Sequence, residues 1–446
     1  MALPPLGWLG IVRLGLVQTA LGAIVVLTTS TMNRVMVVEL ALPAMIPGAL
    51  VGLHYAVQML RPRLGYGSDV GGRRTPWIIG GMAVLALGAV LAAIGIALYA
   101  TEPLAAALLA VAAFLLIGLG VGAAGTSLLV LLAQRVSPHR RGAAASIVWF
   151  MMIAGFAVTA TIAGRLLDPF TTLRLVTVTA AVGGFAFLVA LVAVWGVEGP
   201  LAAARQRAQR TDFKAAMREV WAEPEARRFT VFVFVSMLAY SAQDLILEPF
   251  AGAVFGFTPG ESTQLSGLQH GGVLGGMLLV AVAGTLLSKR LGSLRVFTVG
   301  GCIASAFALA GLVAAGFVGP GWPLRQTVFL LGFANGAFAV AAIGSMMALA
   351  SRGHESREGT RMGLWGAAQA IAFGIGGFLG TVLSDAARLV LGSPASAYVT
   401  VFAAEAVLFL WSAWLAARVG GERLAGARAS VAAAAQAQWA TETQGG

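Results

Sequence analysis

Residues 103–134 read PLAAALLAVAAFLLIGLGVGAAGTSLLVLLAQ, a run without a single Asp, Glu, Lys or Arg. About 20 predominantly apolar residues suffice for a helix to cross a bilayer, so this run predicts a membrane helix that tilts or extends beyond the bilayer. The whole chain is 59% hydrophobic and only 11% charged, with a mean hydropathy of +0.87. Soluble domains carry about 25% charged residues, which excludes a water-soluble enzyme. A disulfide scaffold is excluded as well, because Cys302 is the only cysteine.

Membrane spans account for most of the remaining sequence. Two apolar stretches carry acidic residues: the stretch at about 229–250 includes Asp244 and Glu248, and the stretch at about 396–417 includes Glu405. Together with the uncharged runs they predict an all-α membrane protein of twelve transmembrane helices. The other uncharged runs of sufficient length are 14–33, 40–60, 75–101, 142–164, 175–197, 262–288, 296–324, 326–351 and 362–384.

The distribution of Lys and Arg predicts the orientation in the membrane. With twelve spans both termini lie on one side, and 24 of the 29 basic residues fall in the loops and ends on that side. Because cytoplasmic loops carry the excess of basic residues, we expect both termini in the cytoplasm. These topology charges also explain the net charge of +11, which indicates contact with anionic membrane lipid and no nucleic-acid partner.

The longest polar segment, 198–228, divides the spans into two groups of six. We therefore predict an N-terminal half at 1–197, a cytoplasmic linker, a C-terminal half at 229–418 and a flexible cytoplasmic tail at 419–446. Apolar residues at helical spacing in the linker predict a short amphipathic helix on the membrane face. These residues are Phe213, Met217, Val220 and Trp221.

The two halves resemble each other, most clearly where 137–164 matches 355–380, each a basic loop before a Gly- and Ala-rich fifth span. Six-helix repeats around a central linker are the pattern of the major facilitator fold. The loop GYGSDVGGRRT at 65–75 fits the loop motif of that superfamily, in which glycines permit a tight turn and Asp69 caps or pairs across the bundle. The motif indicates the fold and not the cargo. Its residues here are Gly65, Asp69, Gly72, Arg73 and Arg74.

Ionisable residues inside membrane spans are costly and often functional. Asp244 and Glu248 lie four residues apart, hence on one helix face, and Glu405 falls near the middle of the last span. They are candidates for a proton or cation site. The alternatives are a water-exposed vestibule edge for the first two and a hydrogen-bonded core carboxyl for Glu405. Arg34 and Glu39 are expected to pair at the membrane interface, and their five-residue spacing favours a loop over a helix.

Two of the four histidines fall within spans, at equivalent helices of the two halves. His54 lies in span 2 and His270 in span 8, whereas His139 and His354 lie in loops. A neutral imidazole in an apolar bundle is a suitable axial ligand for the metal of a tetrapyrrole. Tyr55 is placed to contact the macrocycle, and the glycines after His270 would leave room for it. The alternative is that each histidine only bonds a neighbouring helix.

The block at 32–82 resembles the PucC/LhaA group, the bacteriochlorophyll delivery branch of the major facilitator superfamily. The resemblance rests on three stretches, and the twelve-span layout extends it over about 1–418. They are NRVMVVEL at 33–40, ALVGLHY at 49–55 and RPRLGYGSDVGGRRTPWI at 61–78.

This resemblance implies a non-enzymatic factor in the bacterial inner (intracytoplasmic) membrane that helps assemble light-harvesting complexes. Its cargo would be bacteriochlorophyll, and its partners the antenna polypeptides, with pigment-synthesis enzymes and the insertion machinery as further candidates. No catalytic residues carry over from the family. A second interpretation is a proton-coupled secondary transporter of a small solute, which the fold and the intramembrane acids, Glu39 among them, would also fit. An enzyme of pigment synthesis is a third and weaker interpretation.

Overall fold

A computed structural model of the chain describes residues 5–61, 73–137, 140–198, 218, 221–286, 294–350 and 358–418. Within these ranges every regular element is helical. The helices are α1 Trp8–Glu39, α2 Met45–Val57 with a 3-10 turn at Gln58–Leu60, α3 Thr75–Leu98, α4 Pro103–Arg135, α5 Arg141–Leu167, α6 Thr172–Val194, α7 Pro224–Phe255, α8 Pro259–Leu286, α9 Leu294–Val318, α10 Leu324–Ala350, α11 Glu358–Leu391 and α12 Pro394–Arg418.

Among the described helices, eleven are long and apolar enough to cross a membrane. The twelfth, α2, is shorter, and the description of the chain stops at Arg61 just beyond it. Local chemistry sets several of the boundaries. Proline begins α4 and α7, where its missing N–H has no helical partner to lose, and Gly256 ends α7 in the left-handed conformation that glycine adopts without strain.

The first helix extends farther than the sequence predicts. The run 14–33 stops short of Arg34, and the spacing from Arg34 to Glu39 favoured a loop. That expectation is wrong, because the chain continues through two π-helical segments, Leu27–Thr31 and Val35–Glu39. Bonding from residue i to i+5 places residues five apart next to each other, and the Arg34 guanidinium forms its ion pair with Glu39 there.

The described residues form two large hydrophobic cores, with two small buried clusters beside them. One core contains buried residues from Ile11 to Val197 and also Leu245, and the other runs from Phe229 to Ala416. Helix α3 packs on α4 and α6 in the first half, as α9 packs on α10 and α12 in the second. The exact bounds of the halves stay a prediction, since most of the linker at 198–228 lies outside the described residues.

Among the described helices, the halves meet mainly at three pairs, which we call the seams: α2 with α11, α5 with α8, and α1 with α7. The fifth helix of each half therefore packs against the second helix of the other half, which agrees with the self-similarity of 137–164 and 355–380. We call the face with Trp8 and Arg418 the terminus face and the opposite one the distal face. The helices of these seams carry the candidate residues His54, Tyr55, Asp244, Glu248 and His270.

Candidate functional site

Five of the predicted site residues lie at one depth in the bundle. At about 1.5 Å per residue from the distal helix ends, each is about 14–17 Å deep, close to the middle of a hydrocarbon core of about 30 Å. Carriers of this fold bind substrate and coupling ions at that level, between the repeats. The five residues are His54, Tyr55, Asp244, His270 and Glu405.

His54 is enclosed, with 2% of its surface exposed. Gln58, one turn further along α2, donates to its Nε2 over 2.8 Å, and Arg61 donates in turn to the Gln58 amide oxygen. Because Nε2 is the acceptor, the ring proton lies on Nδ1, which is buried and has no hydrogen-bond partner among the described residues. His54 therefore has no free lone pair to offer a metal.

Tyr55 connects the halves at the α2–α11 seam. Its ring lies 5.8 Å from that of Phe373, which in turn lies 5.7 Å from the ring of Tyr240 on α7. Asp244, one turn beyond Tyr240 and half-buried, interacts electrostatically with both tyrosines. The charge of Asp244 thus acts on aromatic hydroxyls from both halves.

Glu405 adds a second acid to this group, since it interacts electrostatically with Asp244. It is 1% exposed, and neither carboxylate oxygen has a hydrogen-bond partner in the described part of the chain. Among the described residues, Glu405 therefore has no partner that would make it the hydrogen-bonded core carboxyl of the alternative interpretation. Two acids and two tyrosines form a central cluster that could bind a proton or a polar group of a ligand.

Glu248 belongs to a separate cluster nearer the distal face. It faces the charge of Arg34 and the hydroxyls of Ser262 and Ser266 on α8, but these hydroxyls approach the carboxylate without hydrogen-bond geometry, and Ser262 donates to the Pro259 carbonyl instead. With 2% of its surface exposed, Glu248 does not lie at a water-exposed vestibule edge, so that alternative is wrong for Glu248, whereas Asp244 is half-buried. It shares a helix face with Asp244, but the two acids have different partners.

His270 differs from His54 in the state of its ring. Its Nδ1 donates to the Ser266 carbonyl over 2.8 Å, which leaves the Nε2 lone pair without a proton. No described residue bonds Nε2, and the side chain keeps 7% of its surface accessible. Phe156 on α5 holds the ring edge-on, with the centroids 5.0 Å apart. Such a histidine is prepared for metal ligation.

Of the two glycines that follow His270, only Gly271 borders the open space that the sequence predicts for a macrocycle. A Cβ added to Gly271 would meet nothing within 4 Å, whereas one added to Gly272 would collide with backbone atoms of α10. Gly272 therefore serves helix packing, and the expectation that it makes room for a macrocycle is wrong.

The structure describes only part of the loop motif. The backbone N–H groups of Arg74 and Thr75 donate to the carboxylate of Glu198, which lies just beyond the end of α6. This contact caps the first turn of α3. Arg73 lies exposed beside this contact. The predicted positions of Gly65, Asp69 and Gly72 lie outside the described residues, as do those of His139 and His354.

Sequence reasoning missed several buried amides, two of them on the helices of the α1–α7 seam. Asn33 on α1 donates to the Leu245 carbonyl of α7, and Gln243 on α7 is fully enclosed with neither amide atom bonded by a described residue. Polar amides inside apolar spans were the signal that could have found them. Among the described residues, no group of three or more His, Cys, Asp or Glu side chains could hold a metal ion.

Comparison with known proteins identifies the family. A sequence model described as PUCC protein matches residues 31–424. The chain is 55% identical over 418 residues to the "Bacteriochlorophyll synthase 44.5 kDa chain" of Rhodobacter capsulatus, covering 94% of this chain and 97% of that one. It is 29% identical over 422 residues to "Protein PucC" of Cereibacter sphaeroides, covering 90% of each.

Solved structures confirm the fold. A bacterial homologue of the human lysosomal transporter Spinster, in an inward-facing and occupied conformation, superimposes with a TM-score of 0.70 over 92% of this chain and 96% of that one. The D-xylose-proton symporter gives 0.68 over 92% and 97%. At 15% identity these likenesses show the architecture alone, a multi-pass helical bundle of the major facilitator type. The family match spans most of the sequence, and this chain belongs to the PUCC protein family.

Proposed function

We propose that this chain is a non-enzymatic membrane assembly factor for light-harvesting complexes, which handles or delivers bacteriochlorophyll to the antenna polypeptides. The observation that carries the proposal is the 55% identity, over nearly all of both chains, to a relative named for bacteriochlorophyll synthase. The fold is that of membrane carriers, which supports a role in moving a ligand and not in modifying it covalently.

The same proposal includes partners and a place in the cell. The antenna polypeptides receive the pigment, and enzymes of pigment synthesis and the membrane insertion machinery work next to the chain. The site of action is the intracytoplasmic membrane, with both termini in the cytoplasm. The two relatives compared above come from Rhodobacter capsulatus and Cereibacter sphaeroides, and the basic residues support the orientation.

Within the bundle, His270 is the better candidate for pigment contact. The magnesium of bacteriochlorophyll accepts an axial nitrogen, and His270 offers an unprotonated Nε2 beside the open side of Gly271. Tyr55 and His54, the other predicted contacts, lie at the same depth but on the other inter-half seam. His54 has its Nε2 occupied by Gln58.

The test isolates affinity-tagged protein from phototrophic cells in mild detergent and measures near-infrared absorbance per mole of protein. His270→Leu should lose most of the bound pigment, because the axial ligand is removed. His54→Leu is the matched control, at the equivalent helix and the same depth, and should keep it. Membrane levels of each variant are measured by immunoblot.

The outcomes separate the parts of the proposal. Full pigment content in the His270→Leu variant would refute His270 as the pigment ligand but would not contradict the assembly function. A colourless wild-type protein, combined with normal antenna levels in a deletion strain, overturns the function itself.

A proton-coupled secondary transporter is the second candidate function. The central cluster favours it, because Asp244 and Glu405 lie at a similar depth near mid-membrane and interact electrostatically with each other, as Asp244 does with the seam tyrosines. Under this alternative Asp244→Asn would abolish proton-driven solute uptake while antenna assembly stays normal. The pigment hypothesis predicts a defect in antenna assembly and no solute uptake in the wild type.

A further inference from the structure

The first turn of α2 receives its cap from the other half of the protein. The backbone N–H groups of Ala44 and Met45 donate to the two carboxylate oxygens of Asp385 on α11, over 3.0 and 2.7 Å. Ala44 precedes the helix and has no side-chain acceptor of its own. The open N–H groups at this helix start are therefore satisfied across the α2–α11 seam.

The first turn of α8 receives the corresponding contact. Asp168 follows directly after α5, and its carboxylate accepts the Thr258 hydroxyl over 2.8 Å and the Gly260 N–H over 3.3 Å. Thr258 also forms a reciprocal capping box with Glu261. This helix start is thus bound both from its own half and across the α5–α8 seam.

The two contacts are equivalent under the repeat. In each half an Asp at the distal part of the fifth helix binds the start of the second helix in the other half. A carboxylate at a helix N-terminus is stabilised by the helix dipole, and bonds to a charged acceptor are stronger than neutral ones. Both seams are tight there, since a Cβ on Gly48 or Gly260 would collide with Thr381 or Asp168 respectively.

We propose that Asp168 and Asp385 are paired latches that hold the distal face closed over the mid-membrane site. Release of both latches lets the halves separate at the distal face and opens the mid-membrane site on that side. The aromatic contacts Tyr55–Phe373 and Phe156–His270 lie deeper in the seams and serve as the pivot. The proposal does not depend on the identity of the ligand.

The experiment measures the distance between spin labels on the two halves by double electron–electron resonance on purified full-length protein. Labels are attached at Leu173→Cys on α6 and Leu389→Cys on α11, two highly exposed positions at the distal ends of different halves. Cys302 is fully buried and stays unlabelled. The latch variants are Asp168→Asn, Asp385→Asn and the double variant, since Asn removes the charge and one acceptor oxygen.

Each single variant should raise the fraction of long label–label distances about tenfold, which corresponds to about 1.4 kcal/mol. The double variant should make the long distances predominant. Glu198→Gln is the matched control, because Glu198 caps the start of α3 within one half, and it should leave the distances unchanged.

A double variant with the wild-type distance distribution would overturn the latches. Where the double variant fails to insert, the single variants decide: an unchanged distribution in both of them refutes the proposal equally. A shift that Glu198→Gln reproduces would assign the effect to loss of any helix cap and not to the seam.

Discussion

Gly267→Ala tests how closely the two halves pack beside His270. A Cβ at Gly267 of α8 would lie 2.9 Å from the backbone nitrogen of Thr161 and 3.1 Å from the carbonyl oxygen of Ala157, both on α5. These are backbone atoms that cannot rotate away, so the helices must separate to admit the methyl group. Forcing an extra methyl group into a packed core costs about 1–3 kcal/mol.

Gly271→Ala is the control for this substitution. Gly271 lies one turn further along the same helix, and a Cβ there meets nothing within 4 Å. Both changes gain the same helix propensity, about 1 kcal/mol for alanine over glycine. The difference between the two variants therefore isolates the packing cost at the seam.

The assay is thermal unfolding of the purified protein in detergent. For a unit of about 200 residues, 1 kcal/mol moves the midpoint by about 2–4 °C, so Gly267→Ala should unfold several degrees below Gly271→Ala. Equal midpoints for the two variants would show that the α5–α8 seam yields to a methyl group and would refute the packing argument.

Two further predictions concern topology and the distal cluster. Reporter fusions at residue 215 and residue 325 should report opposite sides of the membrane, with 215 cytoplasmic, and a periplasmic 215 would invert the orientation. Arg34→Met should destabilise the protein by about 1–2 kcal/mol, because it leaves the partly exposed Glu39 and the Phe257 carbonyl without their cation. Thermal unfolding of the purified protein in detergent would measure this loss of stability. A midpoint equal to that of the wild type would show that the Arg34–Glu39 pair does not stabilise the fold.

The sequence by itself determined the architecture. Hydrophobic runs are a local property of the chain, so the spans, the six-and-six division and the repeat could be predicted from residue order alone. The block at 32–82 was sufficient to indicate the family by resemblance. Residue spacing failed at Arg34 and Glu39, since the choice of π over α winding depends on contacts that the local sequence does not encode.

Only the tertiary structure decided what the polar residues do. Asp168 lies about 90 residues from the helix start it caps, and Asp385 about 340 residues from its own, so no local pattern marks either as a latch. His54 and His270 look alike in sequence, and their hydrogen bonds alone separate an occupied ring nitrogen from a free one. Burial and pairing across a seam depend on which helices meet, and packing of the whole bundle determines that.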